Sequence, residues 1–253
     1  MREIPTLDPQ GMKQLYEYYT EEDQKVWSIL YDRQIPNLPE AATEEFLVGL
    51  EKVKFGRDKI ANFVETNKIL KSLTDWEIVA VPGIVDDKVF FDLMSNKKFP
   101  ATTWLRKMSE LDYLEEPDMF HDVFAHVPLL ANQSFVDFLQ SLSQIGHEYV
   151  GNRTAIDILS RIYWFTVEFG LIRENDQLRI YGAGILSSAG ETKFCLSDKP
   201  AHFEYDVKQI LDTPYWKDKF QDKYFIIESY EQLYSSIDDI RRLLKKKLEE
   251  VTV

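Results

Sequence analysis

The sequence predicts a mainly α-helical protein with a small β component, folded as a single domain. Three observations carry that expectation. Apolar residues recur at helical spacing through most of the chain, only three short β-rich runs interrupt them, and proline and glycine fall singly as turn punctuation. No repeat, low-complexity tract or Gly/Ser linker divides the 253 residues, and a chain of that length can bury one large core.

Taken in order, Glu21 to Gln34 places Val26, Ile29, Leu30 and Arg33 at helical spacing and closes at Ile35-Pro36. Glu44 to Val53 and Arg57 to Lys71 read as two further helices. Trp76 to Val81 is a β-rich run stopped by Pro82-Gly83. Pro117 suits a first helical position, and Asp118 sits favourably near the positive end of that helix dipole. The helix should end by Val127, because the residue before Pro128 is pushed out of the helical region. Asn132 to Val150 and Asn152 to Ile172 are long helices, and Leu178–Ile180 and Tyr224–Ile227 are short strands. The last element, Tyr230 to Val251, opens on a capping box of Ser229 and Gln232 and lays Leu233, Ile237, Ile240, Leu244 and Leu248 on one stripe.

Composition excludes several functions. A formal charge of −13 repels phosphate backbones and anionic lipid, so nucleic acid and membrane surfaces are not expected partners. The N-terminus lacks an apolar signal core and no run has the roughly 18 apolar residues of a membrane span, so a cytoplasmic location is expected. A single cysteine, Cys195, cannot form an internal disulfide, and with no charged neighbour nearer than Lys193 or Asp198 it reads as a small buried residue rather than a nucleophile.

The chemistry concentrates in EPDMFHDVFAHVP, residues 116–128, which holds two of the four histidines, His121 and His126. Five residues apart, they would diverge by about 140° on a continuous α-helix. Unwinding at Val127-Pro128 would let His126 turn back toward His121. The spacing excludes the His-Glu-x-x-His zinc-protease helix, which needs i and i+4. Glu168 lies in the apolar run IYWFTVEFGL, where a carboxylate is costly unless paired or metal-bound. From this segment alone, a salt bridge to Arg161 is an equal alternative. Two imidazoles and one carboxylate form the ligand set of a non-haem iron(II) site with open positions for oxygen and substrate. Gly182-Ala183-Gly184 begins like a dinucleotide loop, but Ser187 stands where the third glycine belongs. His147 and His202 have no such company and read as structural.

Together, Val81-Pro82-Gly83, Arg106, EPDMFHDVFAHVPLL from Glu116, IYWFTVEFGL from Ile162 and YGAGILSSAGE from Tyr181 resemble the catalytic domain of the pterin-dependent aromatic amino acid hydroxylases, in particular the short bacterial phenylalanine 4-hydroxylases. The likeness is densest over residues 76–196. It implies a basket-like, mostly helical catalytic domain spanning residues 1–253, with iron(II) held by His121, His126 and Glu168. It further implies a tetrahydropterin cosubstrate, molecular oxygen, and hydroxylation of L-phenylalanine to L-tyrosine. Residue by residue, Gly83, Ile84 and Val85 would line the pterin, Phe90 would stack on it, and Asp122 and Tyr163 would lie beside it. Arg106 would clamp the substrate carboxylate, with Trp164, Phe169 and Ser187 shaping the amino acid pocket; Tyr113 and Glu191 belong to the surrounding shell.

The chain departs from the family pattern in three places. Ala125 replaces the glycine usual before the second histidine, Asp86-Asp87 replaces a serine pair, and Trp216-Lys217-Asp218 stands where apolar or acidic specificity residues are usual. Lys217 would change the polarity of the pocket if it entered. The length leaves no room for the regulatory domain and tetramerisation tail of animal members, so a monomer or weak dimer is expected. Hydroxylation of tryptophan or tyrosine, or a zinc-dependent hydrolase using the same ligands, are the competing functions. Trp164 favours the phenylalanine and tyrosine branches over the tryptophan one.

Overall fold

The computed structural model describes residues 4–112, 116–217 and 219–251. Tyr113 and Asp218 therefore lie outside the described residues. Helices dominate and wrap a contiguous aromatic-rich core containing Trp27, Trp76, Phe46, Phe120, Phe124, Phe135, Phe138 and Phe165, all fully or almost fully buried.

Local chemistry sets most helix starts. Thr20 and Asp23 form a reciprocal capping box for Glu21–Gln34, with Thr20 Oγ1 accepting from Asp23 N–H at 3.2 Å and Asp23 accepting from Thr20 N–H at 2.8 Å. Asn62, Asp86, Asn132 and Asn152 cap the helices Phe63–Leu73, Asp87–Ser95, Gln133–Glu148 and Arg153–Tyr163 through their side chains. The helix expected over 57–71 is thus shifted. Asn62 provides the cap, while the preceding backbone is held by Trp27, whose indole N–H donates to the Gly56 carbonyl at 2.8 Å.

Two small sheets frame the site. Glu77–Val81 and Lys98–Thr102 pair in parallel, Glu77 opposite Lys98 and Val81 opposite Thr102, with the helix Asp87–Ser95 making the crossover that parallel pairing requires. A four-stranded sheet runs in the order Gln177–Ile180, Leu171–Glu174, Lys223–Ile227, Ala201–Glu204, its first pair antiparallel and the others parallel. The three β-rich runs read from the sequence all appear as strands. Their partners Lys98–Thr102, Leu171–Glu174 and Ala201–Glu204, and the helices Asp87–Ser95, Ala189–Cys195 and Val207–Asp212, had not been anticipated.

Three other expectations are corrected. The helix expected over Asn152–Ile172 is α-helical only to Tyr163; a π-helical turn, Trp164–Glu168, follows and the chain then becomes the strand Leu171–Glu174. Pro117 lies before its helix rather than at its first position, because Asp118 accepts the His121 N–H at 3.2 Å and helical backbone starts only at Met119. The final helix divides at Ser236, whose hydroxyl bonds the Leu233 carbonyl at 2.7 Å and Tyr205 Oη at 2.8 Å, giving Tyr230–Ser235 and Ile237–Val251. Its apolar stripe is otherwise as expected, with Leu233, Ile240 and Leu244 fully buried. No helix of the described residues is long and apolar enough to cross a membrane.

Candidate metal centre and active site

Residues Phe120–Ala125 form a π-helical turn, followed directly by the 3₁₀ turn Val127–Ala131 that contains Pro128. The apolar side of the π turn is locked into the core: Phe120 and Phe124 stack at 4.5 Å, Trp27 meets Phe120 edge-on, and Tyr31 and Phe46 meet Phe124. A π turn bonds residue i to i+5 and so brings a residue five positions on back toward the same face. That replaces the expected unwinding at Pro128 as the reason two histidines with this spacing converge, their Nε2 atoms 3.3 Å apart. The helix Glu44–Val53 packs against the 3₁₀ turn so closely that a Cβ at Gly49 would collide with the Pro128 carbonyl. Only glycine fits there.

Glu168 arrives on the second π turn, closed by the i+5 bond from Phe169 N–H to the Trp164 carbonyl at 2.8 Å. Its Oε1 lies 3.3 Å from His126 Nε2 and its Oε2 lies 3.5 Å from His121 Nε2. The ligand atoms of all three residues fall within 4.8 Å of one another. Arg161, the alternative partner for Glu168, instead donates to the Leu211 carbonyl. Burial pushes the Glu168 carboxyl up, but the two facing imidazoles and the Gly184 N–H outweigh it and hold the group below the usual carboxylate range. Burial likewise pushes His121 below the ordinary imidazole value, against the opposing pull of Glu168.

The short helix Ala183–Leu186 supports both ligands. Gly182 packs on the backbone of Glu168, where a Cβ would overlap the carbonyl oxygen. Ser187 Oγ lies 2.9 Å from His121 Nδ1 and 2.9 Å from the Ala183 carbonyl. The single hydroxyl proton goes to a carbonyl, so a hydroxyl lone pair accepts from Nδ1–H, which leaves the Nε2 lone pair free for a metal. Ser187, expected in the amino acid pocket, thus has its hydroxyl committed to orienting a histidine.

Arg106 lies alongside. Its Nε and Nη2 donate to Asp118 at 2.8 and 3.0 Å, and its backbone N–H donates to the same carboxylate at 3.0 Å. Asp118 is fully buried and the Arg106 side chain is 12% exposed. The pair fixes the guanidinium plane and leaves the Nη1 edge unspent by Asp118, the geometry needed to take an incoming carboxylate. Asp118 had been read only as a helix-dipole residue; the overlooked signal was a carboxylate twelve positions after the arginine and three before the first histidine.

An aromatic wall starts four residues before Glu168. Trp164 stacks on Tyr215 at 4.4 Å and 19°, and tilts against Phe169 at 4.8 Å. Lys217 is exposed, with its ammonium 5.9 Å from the Tyr215 ring centroid. On the other flank, Phe90 meets Tyr163 edge-on at 5.6 Å, and Asp122 accepts the Thr102 N–H at 2.8 Å, tying the parallel strand pair to the metal turn. Burial raises the Asp122 carboxyl, opposed by His121 and the Thr102 N–H. Gly83, Ile84 and Val85 form the loop after Glu77–Val81, and Ile84 is 81% exposed. Cys195 is buried and its thiol is raised by desolvation, in keeping with a packing role; His202 bonds the Cys195 carbonyl at 2.7 Å.

A family model for biopterin-dependent aromatic amino acid hydroxylases matches residues 10–251. The chain belongs to that family. It is 47% identical over 233 residues to a phenylalanine-4-hydroxylase of Ralstonia nicotianae, covering 91% of this chain and 74% of the relative. It is 46% identical over 219 residues to that of Chromobacterium violaceum, covering 86% and 73%. The crystal structure of the Chromobacterium violaceum enzyme with bound oxidised Fe(III) superposes with a TM-score of 0.89 at 43% identity, covering 96% of this chain and 87% of that one. The cobalt-bound form of the same enzyme gives 0.89 at 42% identity, covering 95% and 88%. The mainly helical fold with small sheets is the fold of this hydroxylase family's catalytic domain.

Proposed function

We propose that the protein is a phenylalanine 4-monooxygenase that converts L-phenylalanine to L-tyrosine using iron(II), a tetrahydropterin and molecular oxygen. The observation that carries the reading is the convergence of three groups: a His–His–Glu donor set, a guanidinium locked by a buried aspartate, and an aromatic wall on the same turn as the carboxylate. Donor separations of 3.3–3.5 Å suit three ligands sharing one ion at roughly 2.1 Å. Such spacing admits zinc as well as iron, and the match to the biopterin-dependent hydroxylase family, together with the superposition on a relative holding Fe(III), favours iron.

His121, His126 and Glu168 would hold the iron, with Ser187 keeping His121 in the metal-binding tautomer. When bound, iron and tetrahydropterin supply oxygen activation and two electrons. The chain's own residues do the rest. Arg106, held by Asp118, binds the amino acid carboxylate, while Trp164 and Phe169 hold the ring so that its para carbon faces the metal. Gly83, Ile84 and Val85 approach the pterin through their backbone, Phe90 stacks on it, and Asp122 and Tyr163 flank it. Exclusion of water by the half-buried aromatic lining limits side reactions.

The test is anaerobic loading of the apoprotein with about one equivalent of iron(II), then addition of tetrahydropterin, oxygen and each aromatic amino acid in turn, with product identification. Tyrosine from phenylalanine is the expected main product, with tryptophan turned over poorly and zinc supporting nothing. A higher kcat/KM for tryptophan or tyrosine would overturn the substrate assignment, and hydrolase activity with zinc would overturn the reaction class.

A further inference from the structure

Trp164 is held in its plane by rings on two sides, Tyr215 at 4.4 Å and Phe169 at 4.8 Å. Stacking fixes the plane of an indole but resists sliding or flipping within that plane only weakly. An in-plane hydrogen bond removes that freedom, and Trp164 has one: its Nε1–H donates to Gln221 Oε1 at 3.0 Å.

Gln221 is 2% exposed and its amide is fully spent. Nε2 donates to the Trp216 carbonyl at 2.7 Å and the Lys219 carbonyl at 3.2 Å, while Oε1 also faces the Trp216 N–H at 3.5 Å. Two donors and two acceptor positions are thus all used. The same amide that fixes the indole also pins the loop carrying Tyr215, the ring beneath it. Behind, Gln221 N–H donates to Glu191 Oε1 at 3.2 Å, and Tyr224 Oη donates to the same oxygen. Glu191 is 4% exposed and stands four residues after Ser187, which orients His121. One stretch, 187–191, therefore anchors a metal-ligand histidine at one end and the Gln221 backbone at the other.

We propose that Gln221 is a positioning residue for Trp164: its amide couples the indole N–H to the backbone of Trp216 and Lys219, and through that orientation sets the preference for phenylalanine over larger aromatic amino acids. The inference rests on Trp164 lining the amino acid pocket, as in the function proposed above.

The experiment uses the full chain with zinc as a diamagnetic substitute for iron, so its readouts do not depend on turnover. The indole ¹⁵N–¹H resonance of Trp164 is assigned by its absence in Trp164→Phe, and Kd values for phenylalanine and tryptophan are measured by calorimetry in wild type, Gln221→Met, Trp164→Phe and the double variant. In Gln221→Met the Trp164 resonance is expected to shift and exchange faster with solvent. The tryptophan-to-phenylalanine Kd ratio is expected to fall roughly threefold to tenfold, the size of one net hydrogen bond. Trp164→Phe should lower that ratio similarly, and the double variant should fall no further. Gln221→Glu retains the acceptor but loses both donors to the loop, so the indole resonance should stay near its wild-type position; this variant carries the test if Gln221→Met does not fold. A Trp164 resonance unmoved in Gln221→Met, one lost in Gln221→Glu, or effects that multiply in the double variant would overturn the inference. Absence of hydroxylation with iron, alongside the expected resonance and Kd changes, would count against the proposed reaction and leave the positioning role standing.

Discussion

Replacing Asp118 by alanine tests the proposed role of Arg106 as the amino acid clamp. Asp118 is fully buried and accepts four hydrogen bonds, from Arg106 Nε, Nη2 and N–H and from His121 N–H. Its loss strands a guanidinium that is only 12% exposed, together with two backbone donors. Breaking a buried pair on one side costs about 3–5 kcal/mol, and the residual hydration of Arg106 places the expected loss near the lower end, about 3 kcal/mol. For a chain of this size that is a fall in Tm of about 6–12 °C. Because the guanidinium is no longer aimed, KM for phenylalanine should rise about tenfold or more. Differential scanning calorimetry and steady-state kinetics on the iron-loaded protein read the two effects. The double substitution Arg106→Met with Asp118→Leu removes both charges, so it should recover most of the stability while leaving amino acid binding lost. A destabilisation below about 1 kcal/mol for Asp118→Ala with an unchanged KM would refute the reasoning, as would a double variant whose stability loss equals the sum of the single ones.

Three further outcomes follow from the metal-site geometry. His121→Ala, His126→Ala and Glu168→Ala should each nearly abolish bound iron and hydroxylation, since a three-ligand site has none to spare; metal analysis after gel filtration checks this. Ser187→Ala should weaken iron binding by about 10- to 100-fold with little loss of fold stability, measured by competition with a chelator, because only the acceptor for His121 Nδ1 is removed. Gly182→Ala should destabilise by about 1–3 kcal/mol in chemical denaturation and also lower iron affinity, since the new Cβ can fit only by displacing the Glu168 backbone.

Much of this was legible in the sequence where one-dimensional signals are strong. The helix Glu21–Gln34 was read at its observed bounds because its apolar spacing and the closing Ile35-Pro36 agree with each other. Both histidines and Glu168 were found because polar ligands on apolar segments are conspicuous. The π turns were not legible, since the same run of apolar residues from Ile162 suits an α-helix, a π turn or a strand, and only packing against Gly182 and Tyr181 ends the helix at Glu168. Lys98–Thr102 gains its strand character from Glu77–Val81 across an intervening helix, and Leu171–Glu174 from both the adjacent Gln177–Ile180 and the distant Lys223–Ile227. Asp118 and Gln221 were missed for a related reason. Each is an ordinary polar residue whose role appears only once a guanidinium or an indole is brought to it from elsewhere in the chain.

The π turn at Phe120–Ala125 also bears on any attempt to transplant this centre into another protein. A host helix carrying His-Asp-Val-Phe-Ala-His on a regular α-helical backbone would hold both imidazoles yet swing one of them about 140° away. Shortening the insert by a residue while keeping the wide turn would misdirect the pair in the opposite sense. Backbone winding and histidine spacing thus form one transferable unit, and a graft must carry the Phe120 and Phe124 anchors that hold the widened turn against the aromatic core.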